Sequence, residues 1–293
     1  MKNYIDLLER VLQNGNYYLD RTQVGCYSTF GEQLRFDISN SFPLLTTKKV
    51  FIKGVIHELL WFLRGSTNSL ELEAQGVNIW KGNTTREFLD NKGLNHLPIG
   101  DIGSGYGFQW RHCSAEYIDC NTDYTNKGVD QLKYILEEIN NNPNSRRIFM
   151  TAWNPTALDN MALPPCHLSS QFKVQDNKLS CCVYIRSNDL FLGLPFNIAS
   201  YALLVYIIAK VSNLEPDELI IFIGDAHIYK NHIYQVNEQI SRVPYNLPTL
   251  VINKEMNCVS IEEKLKWIED LKFEDFIIND YNYHPAIKAD MAI

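Results

Sequence analysis

The chain contains no CxxC pair, and its seven cysteines are odd in number and scattered over 293 residues. Neither a disulfide framework nor a zinc site is favoured by that pattern. Of the seven histidines, His227 and His232 lie five apart, which misses the HxxxH spacing of two ligands on one helical face, so no metal is expected. Long apolar runs are also missing. The longest, Tyr201 to Ala209, stops at Lys210, well short of the ~20 residues a membrane span requires. The N-terminal stretch MKNYIDLLER carries Asp6, Glu9 and Arg10 where an export signal would be apolar. No internal repeat and no long linker is visible. A cytoplasmic protein that works without a membrane is expected.

A basic surplus is absent as well. The 27 Lys+Arg against 34 Asp+Glu leave a net charge of −7. That argues against a general nucleic-acid binder, which needs a broad positive field. It still permits a small anion held by a few placed arginines. A hydrophobic share of 45% and a charged share of 21% are globular values. The length suits one large domain or two ordinary ones.

Apolar periodicity then supplies the elements. Ile5, Leu8 and Leu12 predict a first amphipathic helix. Phe30, Leu34, Phe36 and Ile38 alternate with Gln33, Arg35 and Asp37, a strand with one buried face. Ile52, Val55, Ile56, Leu59, Leu60 and Leu63 make a strong helix that Gly65 ends. From about residue 76 to 130 there are glycines and short helical fragments, read as an irregular small subdomain over the core. Leu132, Ile135, Leu136 and Ile139 restore a helix before Pro143.

Sheet follows: Ile148 to Trp153, then Leu168 to Val174 and Leu179 to Ile185, turning at Gln175-Asp176-Asn177. Ile198, Tyr201, Ala202, Val205 and Ile208 lie on a helix apolar nearly all round, hence central. Leu219 to Ile223 and Thr249 to Ile252 are further strands, and Ser260 with Glu263 has capping-box spacing. The fold class is α+β, one domain over residues 1–293 with a large mixed sheet flanked by helices.

Among chemistry-bearing residues, Cys166 in LPPCH follows two prolines that fix the backbone, so its thiol is presented at a rigid corner. On its own a lone cysteine is more often a small buried hydrophobe. His167 does not complete a dyad with it, because neighbours on an extended chain face opposite ways. Arg21, Arg146, Arg147 and Arg186 followed by Ser187 could cradle one phosphate, since guanidinium forks match its oxygens. Composition alone would leave them as solvated surface residues.

The segments around these residues carry a resemblance. RSNDLFLGLPFNIASYALL (Arg186 to Leu204), LPPCH, GDAHIYKNH, FPLLTTKKV, ELLWFLRGSTN, YGFQWRH and the SRR at Ser145 to Arg147 resemble thymidylate synthase, in order, from about Tyr4 to the end. The insert NTTREFLDNKGL is similar to that of the eukaryotic-type enzymes.

The resemblance implies a homodimer that methylates dUMP to dTMP with 5,10-methylenetetrahydrofolate as the co-substrate. It assigns the chemistry to Cys166, Glu58, Tyr106, Asn197 and Asp189. A thiolate at Cys166 adding to carbon 6 of uracil makes carbon 5 nucleophilic. The same resemblance places Arg21, His167, Arg186, Ser187, Asn188, Asp189, Asn197, His227 and Tyr229 against dUMP, with Arg146 and Arg147 from the partner subunit. The arginine excess would also favour the thiolate. Asn197 would read the uracil edge, unless it merely caps the helix that follows. Phe51, Ile79, Trp80, Asn83, Asp189, Leu192, Gly193, Phe196, Met291 and Ala292 would line the folate side. Glu58, an unpaired carboxylate among apolar neighbours, would serve water-linked proton transfer.

The chain departs from the family pattern at Gln23, where glycine is usual, at Ser104-Gly105, expected to loosen that loop, at Lys173, and at Ile185, expected to pack. Two rival readings stand beside the main one. One is a deoxyuridylate hydroxymethylase of the same fold. The other is an inactive nucleotide- or RNA-binding regulator.

Overall fold

A computed structural model describes residues 1–291. Its centre is a six-stranded sheet in the order β1-β2-β6-β5-β4-β3. Strands β1 (Asn16–Tyr18) and β2 (Cys26–Asp37) form one edge, and β3 (Phe149–Thr151) the other. Between them lie β4 (His167–Gln175), β5 (Lys178–Asp189) and β6 (Glu215–Tyr229). All neighbours are antiparallel except β5 and β6, which run parallel. The turn between β4 and β5 has Asp176 and Asn177 at φ 50° and 60°, the two left-handed positions of a type I′ hairpin that Asp and Asn tolerate. A separate pair, β7 (Thr249–Ile252) with β8 (Phe276–Asn279), lies outside the sheet.

Helices cover one face. They are α1 (Lys2–Asn14), α2 (Ile52–Leu63), α3 (Leu70–Ala74), α4 (Arg86–Asn91), α5 (Tyr106–His112), α6 (Gln131–Asn141), α7 (Gly193–Val211), α8 (Ile233–Ile240) and α9 (Ile261–Glu269). The parallel crossover from β5 to β6 is α7, which packs on both strands and against α2. Its 19 residues exceed the apolar run read from the sequence. It is long and apolar enough to cross a membrane, but most of it is buried inside the protein, as a core helix must be. Helix α2 ends as its glycine predicts. Gly65, at φ +75°, donates to Phe62 O at 2.9 Å and Ser66 N–H donates to Trp61 O at 3.3 Å, a Schellman motif. Ser260 and Glu263 exchange both bonds of the capping box at α9.

Several expectations are corrected. Phe30 is 84% exposed, because the alternation breaks at Gly31, whose φ of 88° lets Thr29 and Glu32 bond on one side of the strand. The buried stripe of α1 is Tyr4, Leu7, Leu8 and Val11, with Ile5 and Leu12 at its margin. Strand β3 keeps only three of the six residues expected, and β1 and β8 were not foreseen. Residues 76–130 hold α4, α5 and a short 3-10 turn but no strand element. Buried Asp101 ties this stretch together, accepting from Tyr117 OH at 2.5 Å, Gly103 N–H at 2.7 Å and Cys120 N–H at 2.8 Å. The Ser104-Gly105 loop is not loosened. Ser104 is buried, its N–H donates to Asn160 O at 3.1 Å, and its carbonyl accepts from Gln109 Nε2 at 2.8 Å.

Candidate active site

Cys166 is the last residue before β4, at the end of the Pro164-Pro165 corner, and its side chain is exposed. Its backbone is held from two sides. Cys166 N–H donates to Tyr106 OH at 2.7 Å, and Arg186 N–H donates to Cys166 O at 2.9 Å. The Arg186 guanidinium grips the corner itself, donating to Pro165 O at 2.8 Å and Pro164 O at 3.0 Å, and its Nη2 stands 3.8 Å from the Cys166 sulfur. The surrounding protein pushes the thiol above its ordinary value, and the Arg186 charge opposes that without reversing it. The expected arginine excess is therefore not at the thiol within one chain. Among the described residues only Arg186 reaches it.

His167 turns the other way, as an extended backbone requires. Its ring stacks on Tyr106 at 4.1 Å and its Nδ1 meets Tyr201 OH at 2.8 Å. Burial drives its pKa down to about 3, so it is a neutral packing and hydrogen-bonding group and not a base for the thiol.

Glu58, on the inner side of α2, is not without a partner: Trp80 Nε1 donates to its Oε1 at 2.8 Å. Burial lifts its pKa to about 7, and the Trp80 bond, which favours the charged form, only moderates the rise. Tyr106 completes this wall, buried, with ring centroids 4.9 Å from Phe62 and 5.9 Å from Trp80. Burial holds its hydroxyl far above the usual phenol value. A carboxyl that titrates near neutrality thus shares one wall with a phenol bonded to the cysteine's own backbone.

The C-terminal end of β5 delivers Arg186, Ser187, Asn188 and Asp189, and α7 begins four residues later. Asn197 lies inside α7 and not at its N-cap, which is Leu192, so the capping alternative fails. Its Oδ1 accepts from Asn188 Nδ2 at 3.1 Å, which fixes the amide. Asp189 takes up the turn before α7: its Oδ1 accepts Phe191 N–H at 2.9 Å and Leu192 N–H at 3.2 Å. Among the described residues no donor is bonded to its Oδ2. Leu192, Gly193 and Phe196 are half-buried beside it. Ile185, by contrast, is wholly buried and packs as expected.

On neighbouring β6, Ser187 pairs with Asp225 and Asp189 with His227. Asp225 Oδ1 meets His227 Nδ1 at 2.9 Å. A carboxylate can only accept, so Nδ1 carries a proton, and Nε2 is the nitrogen left for another partner. Tyr229 lies 5.1 Å from His227, ring to ring. One end of β5 and β6 therefore gathers the thiol, Arg186, Ser187, Asn188, Asp189, Asn197, His227 and Tyr229.

Arg21 is exposed on the turn before β2. Gln23 in that turn sits at φ +60°, a left-handed position where glycine is the unstrained residue. Arg146 and Arg147 are elsewhere. They are exposed, form no ion pair among the described residues, and are held by their backbones, Arg146 O to Gln171 Nε2 and Arg147 O to Tyr134 OH. Phe149 pairs with Gln171, so Arg147 stands near Lys173, seven residues along β4 from Cys166. At the rise of a strand that is about 23 Å, beyond an arginine's reach.

Of the remaining candidates, Phe51 and Ile79 both border Gly54, where a Cβ would meet them at 2.7 and 3.5 Å. Asn83 follows Trp80 in a 3-10 turn, Met291 is exposed, and Ala292 lies outside the described residues. Two residues given no role from sequence stand close to Asp189. Lys48 is buried with its Nζ 3.4 Å from the centre of the Phe191 ring, and burial lowers its pKa to about 7. His232 is buried, with Nδ1 3.9 Å from Asp189 Oδ1. No local pattern marks a lysine or histidine that only the packed core will enclose.

A six-stranded mixed sheet with a thiol, a neutral-titrating carboxyl and clustered polar groups at one end defines an α+β protein with an enzyme-like site. The chain belongs to the thymidylate synthase family, whose sequence pattern matches residues 2–293. It is 49% identical over 303 residues to thymidylate synthase of Saccharomyces cerevisiae (strain ATCC 204508 / S288c), covering 100% of this chain and 97% of that one. It is also 49% identical over 309 residues to thymidylate synthase of Candida albicans (strain SC5314 / ATCC MYA-2876), covering 99% and 96%. With the bifunctional dihydrofolate reductase-thymidylate synthase of Paramecium tetraurelia it shares 52% identity over 290 residues, 99% of this chain and 61% of that one. The chain spans about half to three-fifths of the length of such bifunctional relatives.

Proposed function

We propose that this protein is a thymidylate synthase, transferring a one-carbon unit from 5,10-methylenetetrahydrofolate to carbon 5 of dUMP and reducing it to the methyl of dTMP. The observation that carries the reading is the convergence of Cys166, Arg186, Glu58 and Asn197 at one end of the sheet, in a chain of this family. Cys166 supplies the sulfur that adds to carbon 6 of uracil, opening carbon 5 to the one-carbon unit. Arg186, Ser187 and Arg21 bind the phosphate, and His227 Nε2 with Tyr229 takes the deoxyribose hydroxyl. Asn197, its amide set by Asn188, reads the uracil edge.

Glu58, balanced between charged and neutral near pH 7, exchanges protons with the base through water. Tyr106 remains a neutral hydroxyl and orients the reacting groups instead of ionising. Asp189 is suited to a pterin because one oxygen is spent on the turn into α7 while the other is left for a ligand N–H. Phe51, Ile79, Trp80, Leu192 and Phe196 offer the flat apolar wall such a ring needs. Asn83, Met291 and Ala292 belong to the same proposed surface. His167 and Asn188 act on the nucleotide by holding Tyr106 and Asn197. No metal is part of this scheme.

The working unit we propose is a homodimer. On the face of the sheet away from the helices, Tyr184, Phe222 and Phe149 are exposed apolar groups, Phe222 in register with Gln33 and Tyr184, and Phe149 with Gln171. A second copy covering that face would bring its Arg146 and Arg147 to this chain's phosphate site, which explains why they stand far from Cys166 in their own chain. The cytoplasm is the proposed compartment.

The experiment is product analysis after incubation with dUMP and methylenetetrahydrofolate, with absorbance read for dihydrofolate. dTMP with dihydrofolate is expected. Hydroxymethyl-dUMP with tetrahydrofolate would give the chain to the rival hydroxymethylase, and no product would favour the inactive regulator. With 5-fluoro-dUMP and the folate, the native protein should gain a covalent mass that Cys166→Ala does not.

A further inference from the structure

We propose that His232 is a positioning residue for the Asp189 site, fastening the C-terminal segment beside the Phe191 turn that sets the carboxylate proposed to meet the folate. The inference rests on the reading of Asp189 given above. His232 is completely buried in the 3-10 turn Lys230–His232 that joins β6 to α8. Its Nε2 lies 2.7 Å from Asp290 O, which ties the end of the chain to this turn. A carbonyl only accepts, so Nε2 carries the proton. Among the described residues the other nitrogen, Nδ1, is buried without a hydrogen-bond partner and faces Asp189 Oδ1 at 3.9 Å.

The ring cannot drift between these two contacts. Phe191 lies against one side at 5.5 Å and Tyr229 stands edge-on at 5.7 Å. Phe191 is also the residue whose N–H donates to Asp189 Oδ1. One rigid imidazole thus touches the tail carbonyl, the wall of the Asp189 turn and the proposed ribose-binding Tyr229. Loss of the tail bond should loosen the carboxylate's setting without removing any group that contacts dUMP.

The test compares two amides in the full-length protein. His232→Gln can place its amide nitrogen where Nε2 stood, whereas His232→Asn reaches only the Nδ1 position. Hydrogen exchange over residues 284–291, KM for methylenetetrahydrofolate and the Kd for dUMP are measured in each. The Asn variant should exchange faster in that segment and raise the folate KM by about threefold to tenfold, the loss expected when one neutral hydrogen bond is removed. The Gln variant should recover most of both, and dUMP affinity should agree within about twofold between the two variants, because both remove the ring that packs on Tyr229. Equal exchange and equal folate KM in the two variants would overturn the proposal, as would a loss of dUMP binding confined to the Asn variant. If neither variant folds, nitrogen-15 histidine spectra of the native protein decide it, because an Nδ1–H tautomer at His232 is incompatible with the latch. Should the native protein fail to use methylenetetrahydrofolate, the functional reading falls, while the exchange result still judges the tail bond.

Discussion

Trp80 Nε1 donates to Glu58 Oε1 at 2.8 Å, and among the described residues this is the one bond that offsets the burial of the carboxyl. The Glu58 pKa of about 7 lies above its ordinary value. The folded state therefore holds a proton that the unfolded chain releases at lower pH. The Glu58 contribution to stability is fully present below the unfolded pKa and is lost as pH rises through about 7. Glu58→Gln should consequently gain on the native protein between pH 5 and pH 8, by a few kcal/mol at most, in urea melts at both values. Trp80→Phe should move the corresponding limb of the kcat/KM profile upward by about one pH unit, since a bond to the charged form is gone. An unmoved limb would mean that some group other than Glu58 sets it.

Gln23 offers a test of backbone strain. At φ +60° it holds a conformation that costs a side-chain-bearing residue about 1 kcal/mol relative to glycine. Its Nε2 also donates to Asp20 O at 3.1 Å, so Gly and Ala replacements are best compared with each other, as both lose that bond. Gln23→Gly should be more stable than Gln23→Ala by about 1 kcal/mol in chemical denaturation. A reversed order would show that the turn changes conformation on substitution.

Base choice should follow position 197. A protonated carboxyl in Asn197→Asp can donate to cytosine N3 while its other oxygen accepts from the amino group. Asn188 Nδ2, which now donates to Asn197 Oδ1, can donate equally to the new carboxyl. Mispairing one edge of uracil costs about 1–3 kcal/mol, so kcat/KM for dUMP should fall by roughly tenfold to a hundredfold while dCMP improves. Unchanged dUMP kinetics would assign base reading to another residue.

The shared site is tested by mixing two dead proteins. One carries Cys166→Ser, the other Arg146→Ala with Arg147→Ala. If the arginines cross the interface, each mixed dimer contains one sound site, and unfolding and refolding equal amounts should restore about a quarter of the sites. If they serve their own chain, every site keeps a lesion and no activity returns.

The order of elements was legible in the sequence wherever one face of an element is buried. Alternation at Leu179, Cys181, Val183 and Ile185 gave β5, and the threefold and fourfold spacing from Ile52 to Leu63 gave α2, since burial imposes those periods directly. Gly65 and the Ser260–Glu263 pair marked their helix ends because capping is local chemistry. The motifs around Cys166 and Arg186 named the family and most of the candidate site.

Contacts between distant segments were not legible. Short β1 and β8 have too few residues for a period, and Phe30 fits an alternation that the left-handed Gly31 interrupts. That Glu58 is bonded to Trp80, that His167 turns to Tyr106 and Tyr201, and that Arg186 grips two proline carbonyls follow only when α2, α5, β4 and β5 meet. The direction of the Cys166 and Glu58 pKa shifts was decided there too. Local sequence fixes which groups are present, but desolvation and charge act through space, and only the packed fold sets those distances.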